Sequence, residues 1–122
     1  MKKALVIDDD AQVRSEISSC LQALGWSSAG MSLSRAQAGL SGPETAGISL
    51  AFLSVSAVGF SDLSRSVREA VEGCLVIALA DLDKEKELRS AVFSGLADDF
   101  LPLPFSSADL KSVCKLASAG AA

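Results

Sequence analysis

The sequence has no histidine, and its three cysteines, Cys20, Cys74 and Cys114, are scattered without any CxxC spacing. Zinc sites built from Cys and His at short fixed intervals are thereby excluded, and an odd, dispersed set gives no disulfide framework. Buried, reduced, packing thiols are the expectation. A basic tract is missing too. With a net charge of −4 and its Lys and Arg dispersed, the chain lacks the clustered cations that phosphate contacts require, which argues against nucleic acid as a direct partner. No apolar run approaches the length of a bilayer span, and no charged-then-apolar leader with a cleavage site is seen. The expectation is a soluble, cytoplasmic protein without a membrane partner. A nucleotide- or flavin-binding module would need a Gly-rich phosphate loop after the first strand, and none is there. Internal repeats are absent, and the small-residue tail Ala117–Ala122 is the one low-complexity stretch.

What is present is an ordinary globular balance, 49% apolar and 21% charged over 122 residues. That length suits one domain able to bury roughly two thirds of its surface without metals or disulfides. We place the domain at residues 3–117 and read 118–122 as a flexible tail or the start of a linker. The chain is organised around Lys3–Asp10, KALVIDDD. Four apolar residues, Ala4 to Ile7, predict a strand buried on both faces, and three carboxylates arrive at its C-terminal end. In open α/β sheets ligands bind beyond that end of the strands. Asp10 is placed to cap the next helix. Asp8 and Asp9 read either as a former or working site for a divalent cation, above all Mg²⁺, or as acids that merely cap and solvate the strand end.

Along the chain, Val13, Ile17, Cys20, Leu21 and Leu24 recur at helical spacing over Ala11–Leu24, and Gly25 ends the helix. Trp26–Met31 predicts a short strand near the sheet edge, and Ser32–Leu40 a weak helix. Residues 41–47, SGPETAG, must form a surface loop. Ile48–Val55 is a second strongly apolar, central strand. After an irregular stretch at 56–60, Leu63, Val67 and Val71 mark a helix with Ser61 as its cap and Gly73 as its end. Residues 74–81, CLVIALAD, are a third apolar strand, and Asp83 is placed to cap a helix over Leu88, Ala91 and Val92. The mixed charges of Lys84–Arg89 form that helix's solvent face. Phe100 and Leu101 lead a last short strand. Ser106 and Asp109 form a capping-box start for a helix lined by Leu110, Val113 and Ala117. Five β-α units predict a doubly wound, five-stranded parallel sheet with helices on both faces, a three-layer α/β/α domain.

Three motifs in this order, ALVIDDD, VIALAD and ADDFLPLPF, resemble the first, fourth and fifth strands of response regulator receiver domains from two-component systems. The resemblance spans residues 3–117 and implies a flavodoxin-like (βα)5 fold. In that family an aspartate ending the third strand takes a phosphoryl group from a histidine kinase, with Mg²⁺ held by it and the acid pair. The resemblance puts the acid pair on Asp8 and Asp9, Asp9 being the direct metal ligand, and the phosphoacceptor position on Ser54. A serine hydroxyl is un-ionised at neutral pH and is a poor acceptor. The family's switch hydroxyl corresponds to Ala80, or to Leu79 if the strand slips by one, and its lysine to Leu103, which cannot pair with phosphate. Phe100 holds the position of the family's mobile aromatic, with room beside Ala80 to lie inward.

Losing acceptor, switch and counter-charge together implies a pseudo-receiver that acts through protein contacts. No cofactor is required of it, and any Mg²⁺ binding at Asp8 and Asp9 would be weak. The partner would be a histidine-kinase-like protein or an output domain. A homodimer could form through the fourth helix, fifth strand and fifth helix, involving Lys86, Arg89, Ser90, Phe93 and Lys111. Phe93 reads equally as core, because a lone helical aromatic is more often packed. The enzymatic alternative is a haloacid-dehalogenase-type phosphohydrolase with Asp8 as nucleophile and Asp10 as acid. Against it, no lysine lies at a strand end, and Asp98 and Asp99 precede their strand.

Overall fold

The computed structural model describes residues 2–39, 47–54, 60–71 and 73–120. Five strands and five helices alternate: β1 (Lys3–Ile7), α1 (Ala11–Ala23), β2 (Ser27–Met31), α2 (Leu33–Ala38), β3 (Ile48–Ser54), α3 (Phe60–Ala70), β4 (Leu75–Asp81), α4 (Glu85–Phe93), β5 (Asp99–Leu103) and α5 (Ser107–Gly120). The strands form one parallel sheet in the order β2-β1-β3-β4-β5. This is the flavodoxin-like order, whose reversal point lies between β1 and β3.

The apolar runs are continuous because both sheet faces are covered. Successive side chains of a strand point to opposite faces. Leu5, Ile7, Ala51, Leu53, Val76, Ala78 and Ala80 therefore join one core with residues of α2, α3 and α4. Ala4, Val6, Leu50, Phe52, Ile77 and Leu79 join the other, beneath α1 and α5. A register shift between Lys3 and Ala4 sets Ile48 on the first face while Leu50 takes the second. Phe52, Leu50, Ile77 and Leu79 are completely buried, each worth about 1.5–3 kcal/mol relative to exposure.

The ends of the elements follow local chemistry. Asp10 caps α1, its carboxylate accepting from the Gln12 N–H at 2.9 Å. Gly25 leaves α1 at φ 85°, a conformation that glycine adopts without a side-chain clash. The capping box at α5 is reciprocal, Ser106 N–H to Asp109 and Asp109 N–H to Ser106 Oγ, both at 3.1 Å. α5 continues to Gly120, past the 117 boundary drawn from sequence.

Other expectations are corrected. Ser61 is not a cap, since α3 already begins at Phe60, whose buried ring is part of the core. Asp83 is not a cap either. It lies inside a 3-10 turn, Leu82–Lys84, and α4 begins after it at Glu85. Phe93 is not core but 96% exposed, because Leu88 and Ala91 already occupy the sheet-facing side of α4. β2 begins at Ser27 and β5 at Asp99, one residue from the expected starts. Most of the 41–47 loop, the stretch 56–59, Leu40 and Val55 lie outside the described residues.

α3 is bolted to the base of β4 and β5. The Ser64 hydroxyl, buried, donates to the Leu96 carbonyl. Asp98 accepts from Arg68 at 3.1 Å and from the Val76 N–H at 2.8 Å.

Candidate functional site

The parallel register brings four strand ends side by side. Ile7 pairs with Leu53, Ser54 with Leu79, and Asp81 with Leu103. Beyond them lies a shallow pocket of about 170 Å³ lined by Asp8, Asp10, Val13, Ser54, Leu79, Ala80, Asp81 and Leu103. Residues from four separate strand ends, Asp8, Ser54, Ala80 and Leu103, thus meet in one place. Asp10 serves both as helix cap and as pocket wall.

Asp81 is the residue sequence reasoning missed. Its signal was available, a carboxylate directly after an apolar strand in LVIALAD, the same pattern as Asp8 after ALVI. Phe100 is not among the lining residues. It pairs with Ala78 and packs, half-buried, against the core shared with Ala80.

The pocket is electrostatically one-sided. Three carboxylates, one hydroxyl and four apolar side chains line it, with no Lys or Arg among them. Burial raises the Asp8 pKa above its ordinary 3.8; the charges of Asp10 and Asp9 push the same way, while the Asp10 N–H and Arg14 oppose them. The Asp10 N–H reaches Asp8 Oδ1 at 2.9 Å. Arg14 does not neutralise the pocket directly. Its guanidinium donates to the backbone carbonyl of Asp8, and its stem lies over Gly30, where an added Cβ would come within 3.3 Å of Arg14 Cδ.

These residues do not fit the Mg²⁺ site implied by the receiver resemblance. Mg²⁺ demands near-octahedral oxygen ligands converging on one point. Asp9 is not in the pocket, and its Oδ1 accepts from the Leu33 N–H at 2.9 Å. Ser54 supplies a neutral hydroxyl in place of an acid. Among the described residues, no group of three or more His, Cys, Asp or Glu is placed to hold a metal ion.

The phosphohydrolase alternative is not supported. Asp98 and Asp99 stand at the start of β5, at the end of the sheet away from the pocket. The Asp98 carboxylate is occupied by Arg68 and Val76.

A second surface surrounds the β5 edge. Glu87 and Ser90 of α4, with Ser94 just after it, line a groove with Phe60 and Leu96, on the flank toward α3. At about 100° per residue, Arg89 falls on the opposite flank, toward β5, and Phe93 on the outer face of the helix, 96% exposed. On α5, Ser107 and Leu110 line a crevice against Cys20 and Ala23 of α1 and Leu24 just after it. The same count puts exposed Lys111 on the α1 flank and Leu116, 42% exposed, on the β5 flank. Of the residues expected on this face, Arg89 lies on the flank of α4 toward β5 and Phe93 projects into solvent, while Ser90 and Lys111 lie on the far flanks of their helices. Exposed Lys86 lies farther round α4 than Phe93. Arg89 is held by Glu85 one turn earlier, at 2.8 Å.

No protein-family model and no curated protein matches the sequence. Solved structures do match. A response regulator signal receiver domain from Bermanella marisrubri is 26% identical, with a TM-score of 0.74 over 95% of this chain and 97% of that one. A response regulator receiver protein from Burkholderia phymatum is 21% identical, with a TM-score of 0.75 over 97% and 96%. A protein described as an adenylate cyclase from Rhodopirellula baltica is 17% identical, with a TM-score of 0.76 over 97% and 87%. Most of these neighbours are response regulator receiver domains, and the chain has their flavodoxin-like receiver fold.

Proposed function

We propose that this chain is a receiver-type regulatory domain that does not accept a phosphoryl group and signals by docking to another protein. The observation that carries this reading is the pocket itself. The one place where the strand ends converge holds Ser54, Ala80 and Leu103 beside three carboxylates. A transferring phosphoryl group needs an acceptor, a hydrogen-bond donor that follows it and a cation to balance its charge. Here the acceptor is an un-ionised hydroxyl, the follower is a methyl and the cation is an isobutyl group. The nearest ionisable groups are acids, which repel a phosphate dianion. No enzymatic role is assigned, and no step runs through Mg²⁺.

Docking is assigned to the edge formed by α4, β5 and α5, with Arg89 and Leu116 on the flanks toward β5 and Phe93 and Lys86 on the outer face of α4. Phe93 supports this reading: a nearly fully exposed aromatic has apolar surface still to bury and is suited to an interface centre. A histidine-kinase-like protein, an output domain or a second copy would fit such a surface. The setting we assign is the cytoplasm; among the described residues no helix is long and apolar enough to cross a membrane.

The test is incubation with acetyl phosphate and Mg²⁺ followed by intact-mass measurement. The expected spectrum is unmodified protein. A Mg²⁺-dependent adduct of one phosphate, mapped to Ser54 or a neighbouring acid, would overturn the proposal.

A further inference from the structure

We propose that the Asp9 carboxylate is a clasp holding the acidic turn to the start of α2, and that this use takes it out of the cation site the receiver resemblance implies. The geometry follows from the strand order. β1 lies between β2 and β3, so a side chain leaving the end of β1 can turn toward one or the other. The Asp8 N–H bonds to the Met31 carbonyl at 3.2 Å, carrying the β1–β2 ladder one residue beyond Ile7. Asp9 then turns to the β2 side, where its Oδ1 takes the Leu33 N–H at 2.9 Å. Ser54 and the pocket stand on the β3 side.

Leu33 is the first residue of a helix only six residues long, Leu33–Ala38. A helix that short has little cohesion of its own and depends on tertiary ties. Ser32 satisfies the Arg35 N–H at 3.3 Å, and Asp9 supplies a partner for the Leu33 N–H from another part of the chain. Arg14 ties the same turn from the other direction, from the Asp8 carbonyl across Gly30. The turn is thus fastened to β2 and α2. Held to the Leu33 N–H, the Asp9 side chain lies on the β2 side and does not line the pocket with Asp8, so the clasp and a metal ligand facing β3 are competing orientations of one group. This inference stands apart from the docking proposal, since the clasp is present whether or not a partner binds.

The two uses predict opposite signs. In a metal site standing empty, crowded carboxylates repel, so removing one stabilises the protein without metal. For a clasp, Asp9→Ala removes the acceptor and reduces the folding equilibrium constant by roughly fivefold to tenfold, as for lost caps. Asp9→Asn keeps an acceptor oxygen and should stay near wild type. The experiment uses the whole chain and reads urea denaturation, amide exchange of the segment containing Leu33, and Mg²⁺ titration of the wild type to millimolar levels. Expected are faster Leu33 exchange and lower stability in D9A, retained protection in D9N, and a wild-type melting temperature indifferent to Mg²⁺. Higher stability in D9A, unchanged Leu33 exchange in D9A, or a Mg²⁺-induced rise in melting temperature that D9N abolishes would each overturn the clasp. Should D9A fail to fold, the D9N exchange and the Mg²⁺ titration still decide.

Discussion

Replacing Phe93 with alanine separates a docking residue from a packing residue by where the free energy is lost. At 96% exposure the ring leaves no cavity behind when it is removed, so the folded monomer should change by no more than about 0.5 kcal/mol, the usual range for surface sites. Alanine's better helix propensity biases even that small change toward stabilisation. A buried phenylalanine would behave differently, costing about 3–5 kcal/mol. In an interface the ring's burial is worth about 1.5–3 kcal/mol. At about 1.4 kcal/mol per factor of ten, its loss weakens binding to one partner roughly 10- to 150-fold. In a two-fold symmetric dimer both copies lose it, and dissociation constants rise roughly 100- to 20,000-fold. Urea denaturation followed by circular dichroism reads the first quantity, and sedimentation velocity over a concentration series reads the second. Unchanged stability together with lost association is the expected pair. A stability loss of about 2 kcal/mol or more, or binding to the docked protein, whether another partner or a second copy, that is indifferent to the substitution, would refute the assignment of Phe93 to a docking face.

Three further outcomes are expected. Asp8→Asn should stabilise the protein at neutral pH: burial raises the folded pKa above the ordinary 3.8, so ionised Asp8 opposes folding. The advantage should open as pH rises past that value, level off above the folded pKa and vanish in acid; urea midpoints across a pH series that show no such convergence would contradict it. Ser54→Asp alone should remain unphosphorylated by acetyl phosphate because it adds a carboxylate to three others without a cation, whereas Ser54→Asp with Leu103→Lys and Ala80→Thr should gain a phosphate adduct by intact mass. An adduct on the single variant would show that the missing counter-charge does not matter. Burial, helped by the nearby Asp98 charge, pushes the Cys74 thiol up to about 11, so an aromatic disulfide reagent at pH 8 should leave it unmodified in native protein while half-buried Cys20 reacts; labelling of Cys74 at the rate of Cys20 would exclude this protection.

The readings that held share a cause: each rests on a pattern completed within a few residues. Continuous apolar runs at residues 4–7, 50–53 and 76–80 mark strands covered on both faces. Asp10 finds its partner two residues on and Ser106 three residues on, so both caps could be read from spacing. The readings that failed depended on neighbours distant in sequence. Ser61 looked like a cap, but Phe60 found room in the core and the helix started earlier. Phe93 looked like core, but the sheet-facing side of α4 was already filled by Leu88 and Ala91.

The same division runs through the site. The chain's composition decided which groups could ever stand at the strand ends, a hydroxyl, a methyl and an isobutyl group where the receiver resemblance implies an acid, a hydroxyl and a lysine. Which acids face one another was decided by strand order and register alone. Those put Asp81 beside Asp8 and Ser54, and let Asp9, adjacent in sequence to both other acids of its turn, face the opposite way to hold Leu33. Side-chain chemistry is a property of each residue, while direction depends on which strand lies next to it.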